Sequence, residues 1–309
     1  MVEFCRYLYG RCDGTFAQAS QSGRDPTVIR VVTDGAADLP DAVAERSGIA
    51  VVRGQVMFAG SEWTGDNHEL WQNLERSVES AHRRRLFGED RPVAMPSTKA
   101  PTVEQLRAAY DTGGEVIAVH VSGELSRTCA NAAKAAAGLP GRVRVVDTRS
   151  LSVGTAMIAI GVSEALQAGC EANRAVETAA SWVDQLHVHA LIDDVTLLVH
   201  GGRAGLLEKT SDFHGHRHIM AVKGHAIPIR KVRSRSEAVR ELIAHVREHV
   251  GDGVTRWAVG HGDAADVGEF SDRLASVFGC DPWFVTEVGP PVGSHFGPRC
   301  LVVGFLAAG

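Results

Sequence analysis

Three apolar runs in this 309-residue chain each stop at hydroxyls and carboxylates, the groups that hold an anion or move a proton. Asp34 follows the run at 28–32, Ser122 and Ser126 follow 116–121, and Asp147 with Thr148 follows 143–146. The middle cluster, Ser122-Gly123-Glu124-Leu125-Ser126-Arg127-Thr128, leads at once into an alanine-rich segment at 129–137. That order predicts a buried strand, a tight loop and the first turn of a helix. Unpaired backbone N–H groups and the positive end of the helix dipole favour an anion there. Taken alone, Ser126 reads equally well as the N-cap of the helix.

Two later segments carry further chemistry. Gly201-Gly202-Arg203-Ala204-Gly205 combines glycines, which permit close backbone approach, with a guanidinium whose planar fork suits a carboxylate or phosphate. Read alone, it is equally an ordinary surface turn with a solvated arginine. His295 lies in a segment rich in glycine and proline, 288–299, which reads as an ordered loop between two strands. Asp34, Asp147, Ser126 and His295 also contain the groups of a hydrolytic set, although nothing in their order marks an activated nucleophile. Walker-type, dinucleotide-binding and nucleophile-elbow motifs are absent from the sequence. His187 and His189 alternate on an expected strand, as do His214, His216 and His218. No carboxylate or cysteine beside them completes a ligand set, so no metal is expected.

The elements that must position these groups alternate in type through the first half. Strands are expected at 28–32, 49–52, 55–58, 116–121 and 143–146, with helical spacing after Asp38 and a helix over 153–168 closed by Gly169. Such alternation implies a mainly parallel sheet covered by helices on both faces, with ligands bound beyond the carboxyl ends of the strands. In the second half an antiparallel hairpin is expected at 218–232, helices at 236–250 and 264–277, and strands at 255–259, 283–288 and 301–305. The fold class is therefore α/β with two domains: an N-terminal parallel sheet, a C-terminal α+β domain and a cleft between them. The boundaries are set at 1–27 for an N-terminal extension, 28–176 for the first domain and 177–309 for the second.

Composition narrows the partners. A net charge of -5, with Arg83-Arg84-Arg85 as the densest basic spot and read as a solvated loop, gives no footprint for nucleic acid or an anionic membrane, and no apolar stretch is long enough for a membrane span. Cys5, Cys12, Cys129, Cys170, Cys280 and Cys300 lie far apart without CxxC spacing. They read as reduced thiols, which points to a cytoplasmic protein. The first 26 residues lack a basic start followed by an apolar core, and so read as an extension rather than a signal peptide.

The clusters, taken in order, resemble the DegV family. The resemblance rests on Thr33-Asp34, Asp38-Leu39-Pro40, Thr98 with Pro101-Thr102, Leu125-Ser126-Arg127-Thr128, Asp147-Thr148 with Ser152, Gly201-Gly202-Arg203 and His295-Phe296-Gly297-Pro298. Lys231-Val232-Arg233 and Gly260-His261-Gly262-Asp263-Ala264 extend it into the second half, so that it spans Val28 to Phe305. It implies a non-catalytic protein that holds a long-chain fatty acid between its two domains, needs no other cofactor, and presents the carboxylate to a partner fatty acid kinase. Carried over by position, the head-group residues are Thr98, Ser126, Arg203 and His295, with Thr33, Asp34 and Thr128 beside them.

The chain departs from the family pattern at four places. Gly35 stands where a serine is usual, Lys99 enters a hydroxyl-rich motif, Arg127 replaces a glycine, and Arg299 replaces the last glycine of the histidine motif. Two alternatives therefore stand beside lipid binding. One is a hydrolase or phosphotransferase using Asp34, Asp147 and His295. The other is a small-anion sensor in which Lys99, Arg127 and Arg299 clamp a phosphorylated ligand.

Overall fold

A computed structural model describes residues 29–88, 93–204 and 215–308. The expected extension at 1–27, together with Gly205 and His214, lies outside the described residues. The first strands are β1 (Arg30–Asp34) and β2 (Ile49–Val52), joined through a 3₁₀ turn at Gly35–Ala37 and α1 (Asp41–Ser47). A short antiparallel set follows: β3 (Gln55–Phe58), β4 (Ser61–Glu62) and, beyond the long helix α2 (Asn67–Phe87), β5 (Ser97–Lys99). Next come α3 (Val103–Tyr110), β6 (Val116–His120), α4 (Thr128–Ala137) and β7 (Val143–Asp147). Strands β2, β1, β6 and β7 pair in that order, all parallel, as the alternating pattern requires. Every residue of β6 is buried, which marks it as a central strand.

Helix α5 (Val153–Gln167) joins the halves. Its sequence is apolar nearly all round, with twelve of its residues buried, which is what a helix between two layers needs. One side packs on β1, β2 and β6, the other on three strands of the second sheet. Helix α6 (Ala172–Gln185) then crosses it at Gly161, where a Cβ would lie 2.0 Å from the Trp182 ring, so only glycine allows this approach.

The second sheet has six strands: β8 (Leu186–Ile192), β9 (Arg217–Lys223), β10 (His225–Val232), β11 (Val254–His261), β12 (Phe284–Glu287) and β13 (Leu301–Ala307). Their order is β10-β9-β8-β13-β11-β12, antiparallel except for β11 with β12. The remaining helices are α7 (Thr196–His200), α8 (Arg235–Glu248), α9 (Val267–Phe278) and α10 (Pro290–Phe296). One face of this sheet joins α5 in a core shared with the first sheet; the other packs on α8 and α9.

Two placements differ from the sequence reading. The division between residues 176 and 177 falls inside the continuous helix α6, and sheet membership changes between Asp147 and Leu186. The expected loop carrying His295 contains α10: Pro290 and Pro291 occupy its first turn, where a missing N–H costs nothing, and Gly297 at φ 76° ends it.

The halves are also fastened by polar links. Ser122 Oγ donates to the Gly224 carbonyl oxygen, Gly224 N donates to the Arg149 carbonyl oxygen at 2.6 Å, and His225 Nδ1 lies 3.0 Å from Glu124 Oε2. The β9–β10 turn thus docks on the loop after β6. Ser122, expected to serve an anion, is occupied in holding that turn.

Candidate functional site

A cleft, partly open to solvent, lies where the loops after β1 and β6 meet β3, β5, α7 and α10. Its wall is mainly apolar, built from Leu125, Leu151, Leu198, Pro291, Val292 and Phe296. Thr98, Ser126, Thr128, Arg203, His295 and Asp34, scattered over both halves of the sequence, all line it. Parallel strands β1 and β6 end here side by side, so their following loops converge.

The polar groups contact one another. Thr98 Oγ1 and His295 Nε2 are 3.1 Å apart, although the residues are 197 positions apart in sequence. Ser126 Oγ lies 2.8 Å from Thr128 Oγ1 and accepts from Thr128 N at 3.2 Å, so it also steadies the start of α4. Arg203 Nε donates to the Leu125 carbonyl oxygen at 3.4 Å, and its Nη1 donates to the Gly201 carbonyl oxygen. No carboxylate among the described residues pairs with this guanidinium. Burial lowers its pKa from the ordinary value, a sign of incomplete solvation. The ring of His295 rests against Gly201, where a Cβ would fall 2.2 Å from Nδ1. That close approach explains a glycine immediately before Gly202-Arg203.

Asp34 lines the cavity, but its oxygens are committed. One accepts from Ala36 N at 3.0 Å; the other accepts from Val121 N at 3.0 Å and lies 2.9 Å from His120 Nδ1. His120 Nε2 in turn lies 2.6 Å from the Tyr110 hydroxyl, and burial raises the Tyr110 pKa. This chain of buried groups ties β1 to β6 beneath the site.

Several expectations are corrected. Thr33 is fully buried and lies outside the lining, because alternation along β1 separates it from Asp34. Asp147 is also outside: it is exposed and accepts from Gly123 N and Arg149 N, which shapes its own loop. Asp34, Asp147 and His295 therefore do not assemble as a reactive set. Of the three added cations, Lys99 alone lines the cavity. Arg127 is exposed at the start of α4, and Arg299 pairs with Glu75 and Asp193 in a neighbouring cleft. The clamp expected of a phosphate sensor is thus dispersed. The apolar wall was missed in the sequence, since its residues are indistinguishable there from core.

Two buried groups beside the cavity set opposite pH responses. Burial, reinforced by Arg203 and His200, pushes His295 down to about 3, so its ring is neutral in the folded chain. The unfolded chain protonates this ring near pH 6.5, and its stabilising contribution is lost as pH falls from there toward 3. Asp38 behaves in the other sense. Burial pushes it up to about 7 despite hydrogen bonds from Ser152 Oγ at 2.6 Å and Gly289 N at 2.8 Å, with Asp34 adding repulsion. Its contribution is complete below about pH 4 and is lost as pH rises toward 7. Asp38→Asn, which mimics the neutral acid, is expected to gain stability against the unsubstituted protein at pH 8 and lose most of that advantage at pH 5. Urea denaturation at both pH values checks the sign; an advantage independent of pH would contradict it.

Comparison with known proteins agrees with this architecture. A family model described as an uncharacterised protein of the DegV family matches residues 28–308. A DegV domain-containing protein of Streptomyces coelicolor is 30% identical over 279 residues, covering 89% of this chain and 97% of that one. One from Mycobacterium tuberculosis is 29% identical over 287 residues, covering 90% and 96%. Among solved structures, a fatty-acid-binding DegV-family protein of Thermus thermophilus superposes with a TM-score of 0.76 at 24% identity, covering 91% and 99%. A stearic-acid-binding protein of Eubacterium ventriosum gives 0.79 at 18% identity, covering 91% and 98%. At these identities the likeness to solved structures is one of fold.

Proposed function

This chain belongs to the DegV family, and from that premise we propose that it binds a long-chain fatty acid in the cavity and presents the carboxylate to a partner fatty acid kinase. The observation that carries the reading is a half-buried guanidinium with no carboxylate partner among the described residues, beside hydroxyls in a mainly apolar cavity. A buried carboxylate is costly unless donors and a cation satisfy it. Arg203 supplies the cation; Ser126 and Thr98 supply hydroxyl hydrogens. With Nε2 protonated, His295 donates to Thr98 Oγ1 and leaves the Thr98 hydroxyl hydrogen for the ligand. The acyl tail gains about 0.8 kcal/mol for each CH₂ removed from water, before the ordering costs of binding.

The protein is non-catalytic by itself in this reading, because Asp34 is consumed by structural hydrogen bonds and Asp147 lies elsewhere. It needs no cofactor for binding. Lys99, exposed at the cavity, adds positive charge where a phosphorylated head group would leave.

Mass spectrometry of lipid extracted from the purified protein tests the reading. A co-purified fatty acid is expected, and an acyl phosphate should form only when a fatty acid kinase and ATP are added. Protein that carries no lipid and takes up none from fatty acid micelles would refute it. Ser126→Ala is expected to weaken fatty acid binding by about 1–3 kcal/mol, by removing a hydrogen bond to a charged group. Calorimetric titration measures this, and an unchanged affinity would remove Ser126 from the head-group site.

A further inference from the structure

On the face of the six-stranded sheet turned away from the cavity, His189 of β8 meets His245 of α8 and His249, the residue that caps the end of that helix. Alternation along β8 directs Val188, Ala190 and Ile192 into the core around α5, and His189 with its neighbour His187 toward α8. A spacing of four brings His245, in the last turn of α8, and His249, its C-cap, to the same side of the chain. One ligand nitrogen from each of the three lies within 4.8 Å of the others. A point equidistant from three atoms at that spacing is about 2.8 Å from each, against about 2.0–2.1 Å for a zinc–imidazole bond. Small side-chain rotations close that difference.

The rings are also oriented for it. His249 Nδ1 donates to the His245 carbonyl oxygen at 2.9 Å, which leaves the Nε2 lone pair free. His245 Nδ1 lies 3.6 Å from Glu248 Oε2, an ion-pair separation longer than a hydrogen bond. Partners of this kind fix the tautomer of metal-binding histidines. His189 is only 3% exposed, and neither of its ring nitrogens has a hydrogen-bond partner. Such a buried polar group is costly and calls for something to satisfy it.

We propose that His189, His245 and His249 form a three-imidazole site for a borderline divalent transition metal, zinc first, which fastens α8 to β8. Three imidazoles leave one position of a tetrahedral ion for water. Without oxygen donors the site discriminates against magnesium and calcium.

Untagged, full-length protein treated with chelator is titrated with Co²⁺, then with Zn²⁺. The expected result is one Co²⁺ per chain with the visible absorption of tetrahedral, nitrogen-ligated cobalt, displaced by one equivalent of Zn²⁺. Zn²⁺, and not Mg²⁺, should raise the unfolding temperature. His245→Gln and His249→Gln, at partly exposed helix positions, should each lower the affinity at least tenfold while keeping the far-UV spectrum of a folded chain. No stoichiometric cobalt spectrum, a thiolate charge-transfer band in its place, or unchanged affinity in both variants would overturn the site. None of these outcomes bears on fatty acid binding, which uses the opposite face of the sheet.

Discussion

Replacing Arg203 by leucine should raise the dissociation constant for a long-chain fatty acid by about 150- to 700-fold, or about 3–4 kcal/mol. Arg203 is the one cation in the cavity wall that is both half-buried and free of a carboxylate partner among the described residues. A carboxylate brought into an apolar cavity without it keeps hydroxyl donors but loses charge neutralisation, and so loses most when water is scarce. Arg203→Lys should recover part of the loss, because the ammonium restores charge without the two-pronged geometry of the guanidinium. Tail burial is untouched by either change, so a fatty alcohol of equal length should bind both variants about as well as the unsubstituted protein. Titration of acid and alcohol side by side separates the two contributions. Equal affinity of the acid for all three proteins would show that Arg203 serves only the Gly201 and Leu125 carbonyls.

Asp34→Ala is expected to destabilise the fold by about 3–5 kcal/mol, the largest effect on stability among the cavity-lining residues. Three donors lose their acceptor at once: Ala36 N, Val121 N and the His120 ring. His120 is completely buried, and its other nitrogen is held by Tyr110, so it has no route to water. Asp34→Asn should cost less, since the amide oxygen still accepts one hydrogen bond, although its NH₂ confronts the Val121 N–H. Equilibrium denaturation in urea ranks the variants. If Asp34→Ala unfolds with the unsubstituted protein, the carboxylate is not the structural hub that its geometry makes it. The same experiment bears on the hydrolase alternative, in which Asp34 would be dispensable for folding and needed for turnover.

Much of the architecture was legible in the sequence because it rests on local patterns. The apolar period of β6 and the alanine-rich start of α4 marked a strand, loop and helix from neighbouring residues alone. The segment from 153 to 168, closed by Gly169, marked α5 as a helix. The order of short motifs from Thr33 to Pro298 pointed to the family, and through it to Thr98, Ser126, Arg203 and His295.

What the sequence could not settle is contact between distant residues, since periodicity fixes the face of an element and not its neighbour. Thr33 and Asp34 are adjacent in the chain, yet one is sealed in the sheet and the other lines the cavity. Asp147 resembled a functional carboxylate until its loop claimed both oxygens. His189 lacked any visible metal partner because His245 and His249 belong to a helix that reaches it only across the folded sheet. Sequence by itself determined the alternation of strands and helices in the first half and the polar residues at the ends of β1, β6 and β7. Tertiary structure decided which of those ends converge, because burial and hydrogen-bond satisfaction are set jointly by packed elements and belong to none of them separately.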